Sequence, residues 1–417
     1  MPTGSNAHPV RIYDNYRRFL TQQDRYRTDW INPICILLLF ITGDFFIYSA
    51  QYFIGANYWI KQIVFMAIGG TVYWGLSITD YKKLLEYGHF IYGLSLVLLL
   101  IVLSPLGEAR DGAQRWIDLG IISLQPSEVA KISALIMVAS ILARSKVSTL
   151  GNSLRPLFWV TLTSFVPFFL IFLQPDLGSG LIFPPMVFAL LYTSRLSIRF
   201  FLVVLGAFVL MLSLVAIDLT GYYEYYKERD LDFNRDKGAY EEHDLLPMHD
   251  YQRIRIMTFI SPESIDPTGT GDSWNYRQSV QAVGTGGLTG KGWTKGDQAQ
   301  LGYLPRSVAH NDFIFAVLAE EKGFLGGISV VGIYAIMIFN TLRTAGIARD
   351  RFGTLLATGI AVIFMIHVFI NVGMTIGLTP ITGLPLPFLS YGGSFLLSSC
   401  VFQGIVQSVH RHRREFV

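Results

Sequence analysis

The chain has 417 residues, of which 51% are hydrophobic and only 15% charged, and its mean hydropathy is +0.42. Soluble domains carry about a quarter charged residues, so this composition predicts an integral membrane protein. The formal net charge of +3 is too small to indicate a nucleic-acid partner. The two cysteines, Cys35 and Cys400, lie in apolar runs, which favours buried or lipid-facing thiols over an extracellular disulfide framework.

Ten apolar runs are long enough to cross about 30 Å of hydrocarbon. They lie near residues 32–54, 58–79, 86–105, 127–143, 155–173, 177–194, 198–217, 324–342, 352–375 and 386–409. The polar, arginine-rich start of the chain precedes a run long enough to span, so we expect an uncleaved anchor and no cleavable signal. The sequence therefore predicts an all-α polytopic integral membrane protein with ten transmembrane helices.

The lysines and arginines of the short connections predict the orientation, because such residues collect on the cytoplasmic side. Alternate connections carry them: Arg17, Arg18, Arg25, Arg27, Lys82, Lys83, Arg144, Lys146, Arg155, Arg195, Arg199, Arg343, Arg349, Arg351, Arg411, Arg413 and Arg414. The opposite short connections hold few beyond Arg110 and Arg115. Both termini are therefore predicted to be cytoplasmic. The predicted segments are a cytoplasmic start (1–31), helices one to seven (32–217), a large extracytoplasmic loop with an entry helix (218–323), helices eight to ten (324–409) and a cytoplasmic tail (410–417).

The large loop has two parts of different character. Residues 222–250 are charged and poor in apolar residues, which predicts a mobile segment. Residues 251–260 alternate arginines with apolar residues, so they could lie in the membrane interface. The glycine-rich runs 284–287 and 290–292 could let the backbone approach a ligand closely, although glycine-rich loops are common and this signal is weak alone. Nothing around them indicates a nucleotide site.

A lone carboxylate, Asp312, lies at the boundary between this loop and the eighth span, in the run LPRSVAHNDFIFAVLAEE (304–321). An ionisable group at that depth is costly and suggests a function. The pattern predicts a helix over 312–321 that continues into the span, with Asp312 in its first turn, where the dipole favours the ionised form. The residues alone leave two interpretations open, a catalytic carboxylate and a residue selected only for that dipole.

Two charges lie just inside the fourth span. Glu128 and Lys131 are three residues apart, so they share a helix face and can pair. Either the pair links two spans, or Lys131 neutralises a ligand phosphate while Glu128 positions it. Asp44, Asp176 and His367 are more typical of helix packing, turn chemistry and a hydrogen-bonded core histidine, and no His/Cys/Asp cluster has metal-site spacing.

Four segments resemble the shape, elongation, division and sporulation (SEDS) family, whose members polymerise peptidoglycan glycan strands from lipid II. They are GAQRWIDLGIISLQPSEVAKI (112–132), LQPDLGSG (173–180), HNDFIFAVLAEEKGFLG (310–326) and NVGMTIGLTPITGLPLPFLSYGGS (371–394). The resemblance covers nearly the whole chain in order. Residues 380–387 are more similar to the elongation-type RodA branch than to the division-type FtsW branch, which usually has a lysine before the glycine at 383.

This resemblance implies roles for particular residues. Asp312 matches the family's essential aspartate, taken as the catalytic base. Trp116 matches a tryptophan of the outer loop that is important for activity, and its alternative role is an interfacial anchor. Glu128 and Lys131 match a pair near the proposed cavity. His310, from the same segment as Asp312, joins the candidate substrate-binding residues.

The implied reaction joins a sugar hydroxyl to an anomeric carbon that carries a polyprenyl pyrophosphate. A positioned carboxylate that accepts the hydroxyl proton contributes roughly 10²–10⁴-fold. The leaving pyrophosphate develops negative charge that cations must stabilise. The candidates are Arg115, Lys131, Lys291 and Arg306. A divalent cation, Mg²⁺ or Mn²⁺, could assist them, and no organic cofactor is expected.

The resemblance also implies partners: lipid II as the substrate, a class B penicillin-binding protein as the transpeptidase, and the cell-shape proteins MreC, MreD and RodZ. It places the protein in the bacterial plasma membrane with its active site outside. Three alternatives remain: a lipid II flippase, a division-type polymerase and a non-catalytic scaffold. Against the flippase, no inverted repeat relates the two halves, and the polar residues concentrate on one face.

Overall fold

The structure, a computed structural model, describes residues 28–52, 55–110, 113–118, 120, 123–145, 150–233, 236, 238–240, 246, 248–271 and 273–413. The helices are α1 (Ile31–Ala50), α2 (Tyr58–Ile78), α3 (Lys83–Leu103), α4 (Pro126–Arg144), α5 (Leu150–Phe172), α6 (Leu177–Leu181), α7 (Phe183–Thr193), α8 (Ile198–Glu228), α9 (Asp250–Ile260), α10 (Pro262–Ile265), α11 (Trp274–Thr285), α12 (Asp297–Gln300), α13 (Arg306–Ala309), α14 (Ile314–Ile347), α15 (Arg351–Thr375) and α16 (Gly393–Arg411). Strands β1 (Glu108–Arg110), β2 (Ala113–Asp118) and β3 (Ser123–Leu124) form one antiparallel sheet in that order.

Seven helices of the described residues are long and apolar enough to cross a membrane: α1, α3, α4, α5, α8, α14 and α15. Helices α2 and α16 have 21 and 19 residues but do not belong to that set. The predicted sixth span is divided into the short helices α6 and α7. The chain is a multi-pass membrane protein, whereas the count of ten spans stays a prediction. Of the residues behind the predicted orientation, Arg17, Arg18, Arg25, Arg27, Lys146 and Arg414 lie outside the described residues.

Helices α4 and α15 form the centre of the bundle. In their most apolar stretches 72% and 61% of the residues are buried, compared with only 6% in α8. Gly359 of α15 permits close packing, since a Cβ there would lie 2.2 Å from the Leu135 side chain of α4. Helix α4 begins with Pro126, which suits a first turn because its missing N–H would have no partner there. The N-terminus of the buried helix α4 therefore lies at the polar end of the bundle.

Helix α14 is interrupted at Gly323, where φ is 66° and ψ is −164°. The interrupted stretch hydrogen-bonds to the glycine-rich segment, with the Lys291 N–H donating to the Glu320 carbonyl at 3.0 Å. A Cβ at Gly323 would lie 2.4 Å from the nitrogen of Gly290. Gly290 therefore allows two backbones of the protein to lie close together, and the approach of this segment to a ligand stays a prediction.

The large loop contains a second, smaller core beyond the membrane portion of α8. Its buried residues are Leu219, Tyr222, Tyr226, Tyr240, Ile254, Met257 and Ile265. Arg253 lies at its centre with 0% exposure, and its Nε donates to Asp218 Oδ2 at 2.9 Å. Its Nη1 donates to Asp250 Oδ1 at 3.4 Å, and its guanidinium lies 5.1 Å from the Tyr240 ring centroid. We call these residues, with both aspartates, the Arg253 cluster.

The described part of residues 222–250 makes specific contacts, and the mobility of this segment stays a prediction. Helix α8 continues to Glu228, and the Tyr226 hydroxyl donates to the Asp236 carbonyl at 2.7 Å. Asp250, at the end of this segment, neutralises Arg253 together with Asp218, inside an aromatic cluster. Arg253 is thus enclosed by protein groups, and an interfacial position of residues 251–260 stays a prediction. Residues 234–235, 237, 241–245 and 247 lie outside the described residues.

Candidate active site

Asp312 lies on the turn between α13 and α14. Its N–H donates to the Val308 carbonyl at 3.0 Å, and α14 begins two residues later, at Ile314. The prediction that Asp312 belongs to the first turn of a helix is therefore wrong by two residues. The reason is local, since backbone hydrogen bonds to Val308 continue the short helix α13 as a turn up to Phe313. The carboxylate still lies close to the positive end of the α14 dipole.

The Asp312 side chain is half-buried and faces the connection between α15 and α16. A Cβ added at Gly383 would lie 3.3 Å from Asp312 Oδ2. Gly383 has φ +74°, a left-handed conformation that favours glycine. A residue without a side chain therefore forms one wall beside the carboxylate.

The neighbouring wall comes from the turn between α5 and α6. A Cβ at Gly178 would lie 2.7 Å from the Thr382 carbonyl, so α6 packs directly on the Gly383 connection. Asp176 caps α6 by accepting from the Ser179 N–H at 3.1 Å, and its Oδ2 accepts from Gln125 Nε2 at 3.2 Å. These contacts bring the N-termini of α4 and α6 to the same end of the bundle as Asp312.

Strand β2 adds the candidate cation Arg115 to this end of the bundle. Arg115 Nη2 donates to the Pro175 carbonyl at 2.5 Å, while its Nε is buried with no hydrogen-bond partner in the structure. Trp116 is half-buried and pairs in register with Glu108 of β1. The structure thus brings Arg115 to the turn that packs beside the Asp312 wall, and Trp116 follows it on the same strand.

Glu128 and Lys131 form the predicted pair, with Lys131 Nζ 2.7 Å from Glu128 Oε1. Both side chains are almost completely buried, and Ser398 Oγ of α16 donates to Glu128 Oε2 at 2.7 Å. Lys131 Nζ also lies 5.7 Å from the Phe395 ring centroid. This geometry favours the interpretation of a pair that links α4 and α16, although it does not test the phosphate-binding alternative.

Two further candidates are held by protein groups. Lys291 Nζ donates to Glu320 at 2.7 Å and to Asp297 at 2.9 Å. Partial burial opposes its charge, but these hydrogen bonds outweigh that effect and raise the pKa of Lys291. The His310 ring is buried, stacks on Tyr58 with centroids 4.7 Å apart, and contacts Gln51 Nε2 at 2.7 Å.

These contacts indicate supporting roles for Lys291 and His310, because their charge or ring nitrogen is already engaged. The side chain of Arg306, the remaining candidate cation, lies outside the described part of the structure. Arg115 stays a candidate cation, because its buried Nε has no hydrogen-bond partner in the structure.

Metal-ligating side chains do not form a cage for a metal ion near Asp312 in the part of the chain that the structure describes. Within the described ranges, no group of three or more His, Cys, Asp or Glu residues could hold one. The divalent cation stays a prediction.

Sequence reasoning missed three residues of this site: Gly383, Asn371 and, as a member of the site, Asp176. Asn371 Nδ2 donates to the carbonyls of Asp312 at 2.8 Å and Leu384 at 2.7 Å. One signal was available, since an asparagine at the end of an apolar span is costly unless it is hydrogen-bonded. Its partners are distant in sequence, so no local pattern identifies them.

The model of the cell cycle protein family of FtsW, RodA and SpoVE matches residues 29–415. The chain belongs to this family. It is 38% identical to the peptidoglycan glycosyltransferase MrdB of Escherichia coli K12 over 318 residues, which cover 76% of each chain. It is 32% identical to a probable peptidoglycan glycosyltransferase FtsW of Coxiella burnetii, over 90% of this chain and 94% of that protein. The SEDS resemblance of the four segments is thereby confirmed.

Solved structures agree with this assignment. A chain from a structure of a peptidoglycan synthase complex that coordinates polymerization and crosslinking has a TM-score of 0.72 and 26% identity, and the match covers 92% of this chain and 98% of that one. The rod shape determining protein RodA of Thermus thermophilus has a TM-score of 0.63 at 24% identity, with 93% and 98% covered. The latter similarity concerns the fold alone.

Proposed function

We propose that this SEDS protein is a peptidoglycan glycosyltransferase that polymerises lipid II into glycan strands for cell-wall elongation, with Asp312 as the general base. The relatives named peptidoglycan glycosyltransferase support the activity. The observation that carries the assignment to Asp312 is its placement. A half-buried carboxylate lies at the end of a membrane helix, beside a wall that carries no side chain.

The substrate class follows from where this carboxylate lies. Its side chain faces an end of the bundle built from polar turns, while the helices that lead to it are apolar. Helix α8 is exposed around nearly its whole membrane portion, with Leu202, Phe208 and Met211 all exposed, which suits contact with acyl chains. A substrate with a polar saccharide head and a prenyl tail in the bilayer suits both surroundings.

The chemistry needs one proton acceptor and one stabilised leaving group. Asp312 accepts the proton of the acceptor sugar hydroxyl as its oxygen bonds to the anomeric carbon of the donor. The bond from that carbon to the pyrophosphate oxygen breaks, and the leaving group keeps the electron pair. Arg115, whose buried Nε has no partner in the structure, is our candidate for stabilising that charge. A divalent cation, where one takes part, would be held chiefly by the pyrophosphate.

The proposal includes the cellular setting implied by the resemblance. The active site lies on the extracytoplasmic face of the plasma membrane, because the positively charged connections are predicted to lie on the opposite side. The similar chain in a structure of a polymerization and crosslinking complex supports a class B penicillin-binding protein as the partner. MreC, MreD and RodZ are further proposed associates.

Asp312→Asn tests the assignment, since the amide preserves the shape and cannot accept the proton. We expect purified wild-type protein to convert labelled lipid II into a polymer ladder on a gel, and the variant to lose this activity by at least roughly 10²-fold. The variant should remain monodisperse with an unchanged unfolding temperature. Asp297→Asn, in the same loop and 62% exposed, serves as the control and should keep its activity.

Two outcomes would contradict the proposal. Polymer formation by Asp312→Asn at the wild-type rate would show that Asp312 is not the general base. A wild-type protein that moves labelled lipid II across vesicles but makes no polymer would favour the flippase alternative.

A further inference from the structure

Three consecutive carbonyls of the Asp312 turn each accept a hydrogen bond from residues 371–391. The His310 carbonyl accepts from the Tyr391 N–H at 3.0 Å. The Asn311 carbonyl accepts from Ser390 Oγ at 2.7 Å, and the Asp312 carbonyl accepts from Asn371 Nδ2 at 2.8 Å. The turn that carries the carboxylate is thus fixed residue by residue to the end of α15 and the connection that follows it.

Asn371 also holds the wall that faces the carboxylate. Its amide donates to the Leu384 carbonyl at 2.7 Å, and Leu384 follows Gly383 directly in the chain. Asn371 is 0% exposed, so these bonds are shielded from water. One amide group therefore fixes two backbones whose separation sets the space around Asp312 Oδ2.

The other amide atom of Asn371 is also informative. Its Oδ1 is buried and has no hydrogen-bond partner in the structure. A buried polar atom without a partner is unfavourable and calls for a specific reason. An apolar side chain could fill the same space, so the two donated bonds are the property that this position requires.

We infer that Asn371 is a positioning residue that holds the Asp312 turn and the Gly383 wall at the spacing that the glycosyl transfer needs. The inference rests on the proposed role of Asp312 as the base. Asn371 itself does not exchange a proton with the substrate. It acts through the backbone of Asp312, and Ser390 acts in the same way through the neighbouring carbonyl of Asn311.

The test compares Asn371→Ala with a matched asparagine at the other end of α14. Asn340 is 3% exposed, and its amide also has two acceptors, on Asp29 and Asn32. Full-length protein in liposomes is assayed for kcat and KM with lipid II, and for its unfolding temperature. We expect Asn371→Ala to lower kcat by roughly 10²-fold with little change in KM, since a displacement of about 1 Å can cost that much. Asn340→Ala should lower only the unfolding temperature.

A second variant gives a signature that a purely structural role would not produce. Asn371→Asp keeps the shape but places oxygen atoms against two carbonyls. When it is protonated, the new carboxyl regains one O–H donor, so the activity relative to wild type should rise as the pH is lowered.

The outcomes separate this inference from the proposed function. If Asp312→Asn is inactive while Asn371→Ala keeps the kcat of Asn340→Ala, the positioning role is wrong and the base assignment stands. If Asp312→Asn still polymerises lipid II, the base assignment fails and the inference fails with it. A pH-independent ratio for Asn371→Asp would also overturn the positioning role.

Discussion

The Asp312 turn and the Arg253 cluster are both built around ionised side chains, but they arrange them in opposite ways. Arg253 is completely buried, and it donates to two carboxylates and to the carbonyls of Met248 and Leu246. At the Asp312 turn the backbone carbonyls are fixed, whereas the side chain is half-buried beside a glycine. A charge enclosed on all sides stabilises the fold, while a half-buried charge on a fixed backbone can perform chemistry.

The largest expected effect on stability comes from Arg253→Met. It leaves Asp218 and Asp250 buried without their cation, which should cost about 3–5 kcal/mol of unfolding free energy. Thermal unfolding of the purified protein measures this loss. Arg255→Met, on the same helix but only half-buried, is the control and should cost much less. If Arg253→Met lowered the unfolding free energy only slightly, the Arg253 cluster would not be a stabilising feature of the fold, and the contrast with the Asp312 turn would fail.

The Glu128–Lys131 pair can be assigned to one of the two classes by a double variant. Lys131→Met leaves Glu128 buried with only Ser398 as a partner, and about 3 kcal/mol of stability should be lost. Glu128→Gln combined with Lys131→Met removes both charges and should restore most of that stability. Polymerisation of lipid II by the double variant then decides the role. Restored activity identifies a structural pair, and persistent inactivity identifies a phosphate-binding lysine.

The smallest effect on stability and a large effect on chemistry are expected for Gly383→Ala. The left-handed φ of +74° makes the substitution cost about 1–2 kcal/mol, and its methyl group would stand against Asp312 Oδ2. Gly287→Ala, at φ +57° with open space around the new Cβ, matches the strain without the contact. Unfolding temperature and kcat are measured for both. Equal activity in the two variants would show that the space beside Asp312 is not needed.

The sequence predicted some of the site because those contacts are local or depend on composition. Lys131 pairs with Glu128 three residues away on one helix, and hydropathy located most of the spans. The sequence could not predict that Asn371 binds the backbone of Asp312, 59 residues away, or that Arg253 binds Asp218, 35 residues away. Such pairs depend on how the helices pack against each other, and the periodicity of the sequence does not indicate that packing.

By itself the amino-acid sequence determined that this is a membrane protein of the SEDS type with a carboxylate at the boundary of its large loop. Hydrophobic burial and helical periodicity act over a few residues, so they can be recognised in the chain. Only the tertiary structure decided which charges are completely enclosed and which remain half-buried. That distinction depends on hydrogen bonds and packing between segments far apart in sequence, and it separates the Arg253 cluster from the Asp312 turn.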